Sequence, residues 1–256
     1  MTRGIRIAIL AIALVAVLVF VAMRNRDAPP PATVGMTDEP CAAEGGPVTG
    51  QPIDDWAGRC AYRAANAEVI ASGKRPQVAM IGDSLTAFWD LPLVDAVNRG
   101  IGGQTSDQVL LRFSQDVVAL RPEVVHILVG TNDIAGNTGP LAIDSYIANV
   151  GAMVDQARAN GIEVVLATMP PASRFPWKPG VSPEPWLSRV NARLVEMARE
   201  RNLVLADYNA VLKGGEAGFR EELFDDGAHP NEAGYAAMEP VLRDAIAEAL
   251  ARAGER

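Results

Sequence analysis

Short apolar segments alternate with longer segments of helical periodicity from about residue 54 onward. Five runs are short and mostly apolar, which predicts buried strands at residues 77–81, 94–98, 123–129, 162–168 and 203–205. The segments between and around them predict helices at residues 56–72, 105–120, 140–160, 184–201 and 231–251. This alternation predicts a three-layer α/β fold, in which helices cover both faces of a parallel sheet. Pro240 lies inside the last predicted helix, where a kink or a break is expected.

The beginning of the chain is a separate apolar segment. Residues 5–23 are apolar except for Arg6, which is long enough to cross a bilayer core as a helix. Two arginines near its start resemble the basic region of an export signal. Ala22 is preceded two residues earlier by Phe20, a poor match to the small-residue pattern of a cleavage site. We therefore expect an uncleaved anchor at residues 1–24 and an extracytoplasmic, periplasmic location for the remainder; cleavage would instead give a secreted protein.

The two cysteines lie near the predicted start of the folded domain. Residues 25–53 are rich in Pro and Gly without an apolar period, which predicts a linker, and residues 54–256 then form one domain. Cys41 and Cys60 are an even number of cysteines in an exported chain, which favours a disulfide bridge over two free thiols.

Charge and composition narrow the class of protein. The 256-residue chain is 49% apolar, enough for a full core, and its formal net charge is −8. No cluster of Lys and Arg stands out in the predicted domain, so a nucleic-acid partner is not expected. The acidity also argues against electrostatic docking on anionic lipid, so membrane contact is expected through the N-terminal segment.

Polar residues and glycines follow the first three predicted strands, at the edge where open parallel sheets form their sites. They occupy residues 82–85, 98–106 and 130–133, and a fourth polar segment at residues 225–231 precedes the last predicted helix. Acyl transfer requires a nucleophile, a base, a group that orients the base, and donors for an oxyanion. These four segments together contain all of these groups.

Each role has a candidate residue. Ser84 is the candidate nucleophile, and His229 is the candidate base that takes its proton. Asp226 lies three residues before His229, a spacing that allows its carboxylate to reach the imidazole Nδ1. The N–H groups of Ser84 and Gly103 and the side-chain amide of Asn132 are the candidate donors of an oxyanion hole.

The four segments, in this order, resemble the four sequence blocks of the SGNH/GDSL hydrolase superfamily. They are Gly-Asp-Ser, the glycine block, Gly-Thr-Asn-Asp and Asp-Gly-Ala-His-Pro, and they span residues 82–230. The wider sequence resembles bacterial extracytoplasmic GDSL-type lipases and lysophospholipase-like esterases. The resemblance implies a flavodoxin-like sheet of five parallel strands, no metal or organic cofactor, and ester hydrolysis at the five residues named above.

Several residues compete for these roles or lie close to them. Gly102 is an alternative to Gly103, and Asp225 to Asp226, although its spacing to His229 is one residue too long. The other histidine, His126, lies inside an apolar strand and is expected to be a buried core residue. Aromatic residues near the site could line a substrate pocket or pack as a surface flap: Phe88, Trp89, Phe175 and Trp177.

The reaction itself leaves alternatives open. The same residues would serve hydrolysis of an acyl ester, including a carbohydrate acetyl ester, or O-acyl transfer to a sugar or lipid hydroxyl. A non-catalytic glycan- or lipid-binding module is a third possibility, which the intact blocks disfavour. Neither the acyl chain nor the alcohol part of the substrate, a small molecule, lipid or glycan, follows from the sequence, and neither does the oligomeric state.

Overall fold

The structure is a computed structural model that describes residue 41 and residues 55–91, 93–214 and 219–255. The predicted anchor at residues 1–24 and the predicted linker, Cys41 apart, lie outside this part. The sheet and its helices belong to one compact unit, Glu44–Arg256. Cys41 and Cys60 are both disulfide-bonded, in agreement with the predicted bridge. Among the helices of the described ranges, none is both long and apolar enough to cross a membrane.

One sheet of five parallel strands forms the centre of the fold, in the order β2-β1-β3-β4-β5. The strands are β1 (Val78–Gly82), β2 (Ala96–Gly100), β3 (Val124–Leu128), β4 (Glu163–Ala167) and β5 (Val204–Ala206). All five predicted strands and their parallel arrangement are therefore confirmed. The strand order reverses between β1 and β3, which is the kind of position where open α/β sheets bind ligands.

Helices cover both faces of the sheet. They are α1 (Arg63–Ala71), α2 (Ser84–Ala87), α3 (Ser106–Asp116), α4 (Thr131–Ala135), α5 (Ile143–Ala159), α6 (Trp186–Glu200), α7 (Tyr208–Leu212) and α8 (Glu232–Gly254). The first predicted helix begins later than expected, because the Asp55 carboxylate accepts the N–H groups of Arg59 and Cys60 in a non-helical turn. Of the kink or break expected at Pro240, the break is wrong, since α8 runs through this residue. Burial of Met238 and Leu242 against the sheet offsets the one hydrogen bond that proline removes.

Two apolar layers flank the strands because alternate strand residues point to opposite faces. On one face, Ile81 and Ile127 pack with residues of α3, α5 and α6, among them Phe113. On the other face, Met80 packs with residues of α7 and α8, among them Leu242. The predicted three-layer sandwich is confirmed, and its buried sheet holds the carboxyl ends of the strands in fixed positions.

Candidate active site

Ser84 is the first residue of α2, directly beyond the carboxyl end of β1. Asp83 caps this helix, because its Oδ1 accepts a hydrogen bond from the Leu85 N–H at 2.9 Å. Gly82 allows β1 to approach β3 closely here, since a Cβ at Gly82 would lie 1.9 Å from the Leu128 carbonyl oxygen. The Ser84 N–H is among the first of the helix, and such groups have no acceptor within the helix. The turn thus presents both the hydroxyl and a backbone donor of one residue.

His229 and Asp226, in the loop before α8, continue from Ser84 in one hydrogen-bonded chain. His229 Nε2 lies 2.9 Å from Ser84 Oγ, and His229 Nδ1 lies 2.8 Å from Asp226 Oδ2. The other carboxylate oxygen of Asp226 accepts the backbone N–H groups of Ala228 and His229 at 3.0 and 2.9 Å. Partial burial alone would raise the pKa of Asp226, but the hydrogen bonds from His229 and Ala228 outweigh it and hold that pKa below its usual value. An ionised Asp226 can therefore fix the imidazole tautomer.

The alternative residues lie apart from this chain. Asp225 is exposed, and its backbone N–H donates to the His229 carbonyl oxygen at 2.9 Å, so it closes the loop through its backbone. His126 is fully buried, as expected, with its Nε2 2.9 Å from the Tyr208 hydroxyl. Burial lowers the pKa of His126 to about 3, so this histidine is neutral near pH 7.

The aromatic residues divide between the site and the core. The rings of Phe88 and Trp177 lie on His229, with centroid distances of 5.6 and 5.1 Å. Trp89 and Phe175 are 4% and 2% exposed, and they pack inside the fold instead. Phe88 and Trp177 therefore lie beside the imidazole, whereas Trp89 and Phe175 are almost fully buried.

Gly103 lies in the loop after β2, and Asn132 lies in α4, which follows β3. Gly103 has a φ of +80°, a conformation that side-chain-bearing residues rarely adopt. Asn132, in α4, is 2% exposed, and its Nδ2 donates to the Gln104 carbonyl oxygen at 3.0 Å. That bond uses one of the two Nδ2 hydrogens and leaves the second available to a ligand. Asn132 is thus tied to the segment that contains Gly103.

A buried arginine, which the sequence analysis did not identify, contacts both the end of β1 and the segment after β2 from inside the fold. Arg112, in α3, is fully buried and pairs with Asp116 at 2.9 Å. Its other donors reach the carbonyl oxygen of Gly82 at 3.0 Å, that of Arg99 at 2.8 Å, and the side chain of Gln104 at 2.6 Å. The only sequence signal was the Arg-Asp spacing of four residues on one helix, which is ordinary for an exposed ion pair.

Two carboxyl groups flank the site, one of them fully buried and the other half-buried. Asp83 is fully buried, and burial raises its pKa to about 7. Its Oδ2 has no hydrogen-bond partner among the described residues. Burial also raises the pKa of Asp133 to about 6, although the Ser106 hydroxyl and N–H donate to this carboxylate and oppose the shift. Asp83 therefore carries a proton for part of the time near pH 7.

Two cavities lie near these residues. A cavity of about 580 Å³ opens onto His229, between the end of α2 and the start of α8, and includes Phe88 and Tyr235 in its wall. A second, mostly apolar cavity of about 510 Å³ lies next to Asp133, among residues of α4, α5 and α6. Both volumes lie in the range of small-molecule sites.

Comparison with known proteins assigns the chain to a family. A family model for the GDSL-like lipase/acylhydrolase family matches residues 60–237. The chain belongs to this family. The resemblance of the four sequence blocks is thereby confirmed, and family membership supports an ester-bond hydrolase.

Solved structures agree with the GDSL-like assignment. A proposed acylhydrolase from Bacteroides fragilis is 36% identical with a TM-score of 0.71, over 76% of this chain and 98% of that one. A GDSL-like lipase from Bacteroides thetaiotaomicron is 34% identical with a TM-score of 0.69, over 75% and 98% of the two chains. This chain therefore contains nearly the whole length of both neighbours.

A curated relative matches over a shorter stretch. The uncharacterised lipoprotein YqeF of Bacillus subtilis is 35% identical over 81 residues, which are 30% of this chain and 33% of that protein. The chain thus matches about a third of the length of this relative.

Proposed function

We propose that this GDSL-like protein is a carboxylic ester hydrolase that works through an acyl-Ser84 intermediate. The observation that carries the proposal is the hydrogen-bonded chain from Ser84 Oγ to His229 Nε2 and from His229 Nδ1 to Asp226, with distances of 2.9 and 2.8 Å. A nucleophile, a base and a group that orients the base meet there in the arrangement that acyl transfer requires.

The reaction has two halves. Ser84 Oγ attacks the acyl carbon while its proton moves to His229 Nε2, and the carbonyl oxygen becomes an oxyanion. The N–H groups of Ser84 and Gly103 and one N–H of the Asn132 amide stabilise that charge. Collapse expels the alcohol, which takes the proton from His229. Water then attacks the acyl-Ser84 carbonyl, gives a proton to His229, and the acid leaves as Ser84 regains its proton.

One of the two cavities supports a position for the alcohol part of the substrate. The cavity at His229 suits the alcohol, because the imidazole must deliver its proton to the departing oxygen.

We further propose that the protein has an extracytoplasmic location and is attached to the membrane. Three observations support it: the apolar residues 5–23, the disulfide-bonded state of both cysteines, and a relative that is named a lipoprotein. An alkaline phosphatase reporter fused after residue 54 should be active in bacterial cells, because that reporter folds only after export. A reporter that stays inactive while its fusion protein accumulates would contradict this location.

The activity is tested on the full chain in detergent, with p-nitrophenyl esters from acetyl to palmitoyl. Hydrolysis should occur and should fall about 10⁴-fold or more in Ser84→Ala. An added alcohol that diverts most of the acyl group into a new ester would instead favour O-acyl transfer. A parent protein that hydrolyses none of these esters, although folded, would contradict the proposal.

A further inference from the structure

Asn137 lies just after α4 and forms hydrogen bonds with Asn132 and Gly103, two of the residues that carry proposed oxyanion donors. Its side-chain Nδ2 lies 2.8 Å from Asn132 Oδ1 and 3.0 Å from the Gly103 carbonyl oxygen. Its Oδ1 lies 3.1 Å from the indole Nε1 of Trp177, whose ring lies on His229. One half-buried side chain thus connects residues that follow β2, β3 and β4.

The partners of Asn137 define the direction of each hydrogen bond. An indole N–H can only donate, so Asn137 Oδ1 is the acceptor toward Trp177. A backbone carbonyl can only accept, so Asn137 Nδ2 is the donor toward Gly103. The same amide nitrogen faces Asn132, and therefore Asn132 must turn its oxygen toward Asn137.

The Asn132 amide is consequently fixed at both ends. Its Oδ1 accepts from Asn137, and its Nδ2 donates to the Gln104 carbonyl oxygen at 3.0 Å. In this orientation the remaining Nδ2 hydrogen is available to an oxyanion. Rotation of the amide by half a turn would present an oxygen in its place, which would repel the developing negative charge.

We propose that Asn137 is a positioning residue that fixes the Asn132 amide, and through it the oxyanion hole, in its donating orientation. This inference rests on the proposed role of Asn132 in ester hydrolysis. Asn137 acts through Asn132 and does not contact the reacting atoms. Asn137 holds the Asn132 N–H in the orientation that the oxyanion of the transition state requires, before the substrate reacts. Because this donor is used mainly in the transition state, its orientation affects kcat more than KM.

Asn137→Asp tests the proposal with little change in shape. The carboxylate keeps an acceptor for Trp177 but loses both donors, so Asn132 no longer has a partner for its oxygen. We expect kcat for p-nitrophenyl butyrate to fall about 10- to 100-fold, less than the loss expected on removing an oxyanion donor outright. KM should stay within about threefold, because the ground-state ester makes little use of the hole.

Two controls separate positioning from other effects. Asn160→Asp makes the same change at an exposed asparagine whose Nδ2 donates to the Gln156 carbonyl oxygen, and it should leave kcat unchanged. Asn137→Ala removes the donors without adding a charge and should lower kcat by a factor similar to that of Asn137→Asp. A loss confined to the Asp variant would overturn the proposal, since the added charge would then be its cause.

A double-mutant cycle with Asn132→Ala decides the matter. If Asn137 acts through Asn132, Asn137→Asp should cost less than about threefold in kcat once Asn132 is Ala. An equal loss in both backgrounds would overturn the inference. If Asn132→Ala alone has no effect on kcat, the proposed oxyanion hole fails; if it lowers kcat but Asn137→Asp does not, only the positioning role fails. Thermal unfolding of each variant shows that the compared proteins are folded.

Discussion

Arg112 donates from Nη2 to the carbonyl oxygen of Gly82, 3.0 Å away and two residues before Ser84. The same guanidinium binds Asp116 and the side chain of Gln104, the residue whose carbonyl oxygen accepts the Asn132 amide. One buried cation, Arg112, therefore binds both Gly82, just before the turn that carries Ser84, and Gln104, which accepts the Asn132 amide.

Substitution of Arg112 should destabilise the fold strongly. Arg112→Met leaves the buried Asp116 carboxylate without its cationic partner, with only amide donors such as that of Asn66, and removes one donor each from the carbonyl oxygens of Gly82 and Arg99. The free energy of unfolding should therefore fall by about 3–5 kcal/mol. Urea unfolding measures it. The matched control is Arg193→Met, which breaks the exposed pair with Asp144 and should cost less than about 1 kcal/mol. Equal losses in the two variants would contradict the assigned role of the buried network.

Asp226→Asn should lower kcat by roughly 10²- to 10⁴-fold, because the amide no longer stabilises the imidazolium and can favour the wrong tautomer of His229. The neighbouring Asp225→Asn is the control, since that carboxylate is exposed and the residue contacts His229 through its backbone. It should change kcat by less than about threefold. If the two variants lost activity equally, the assignment of Asp226 over Asp225 would be wrong.

Gly103→Ala should affect both stability and activity. A φ of +80° strains any residue with a Cβ, so the free energy of unfolding should fall by about 1 kcal/mol or more. Because relief of this strain would move the backbone N–H at position 103, kcat should also fall at least tenfold. Gly161 has a φ of +72° and open space around it, but it lies before β4, away from the carboxyl ends of the strands. Gly161→Ala should therefore lose similar stability and keep its activity. A Gly103→Ala variant with full activity would exclude this residue from the oxyanion hole.

The raised pKa of Asp83 predicts a pH dependence of stability. A carboxyl whose pKa is near 4 in the unfolded chain and about 7 in the folded protein binds its proton more tightly when folded. Its stabilising contribution is complete below about pH 4 and is lost as the pH rises to about 7, by an amount on the order of a few kcal/mol.

Asp83→Asn removes this titration, so the comparison of the two proteins isolates it. Relative to Asp83→Asn, the parent protein should lose unfolding free energy between pH 5 and pH 8, as measured by urea unfolding at both values. Asp133 titrates in the same direction in both proteins and largely cancels in the difference. A difference that stays constant with pH would show that Asp83 is ionised throughout.

The central sheet was predictable because each strand is a short apolar run buried on both faces, as in Val124–Leu128. The short helices α4 and α7 escaped prediction, since segments of five residues carry no period. The start of the first helix was misplaced because a single carboxylate, Asp55, stabilises the turn before it.

The candidate site was predictable to the extent that its residues lie in contiguous sequence blocks. Ser84, His229 and Asp226 come together as the spacing and order of those blocks indicate. Arg112 and Asn137 were missed, because most of their partners lie far away in the sequence, in or after other strands, and become neighbours only when the sheet forms. Polar residues that act through tertiary hydrogen bonds leave no local pattern.

The most direct test of the account is covalent trapping of the nucleophile. The full chain is incubated with a p-nitrophenyl phosphonate, digested, and analysed by mass spectrometry, beside Ser84→Ala and His229→Ala. The account predicts one phosphonylated residue, Ser84, loss of esterase activity in step with labelling, no labelling of Ser84→Ala and slow labelling of His229→Ala. Stoichiometric labelling at another residue, or full ester hydrolysis by Ser84→Ala, would contradict it.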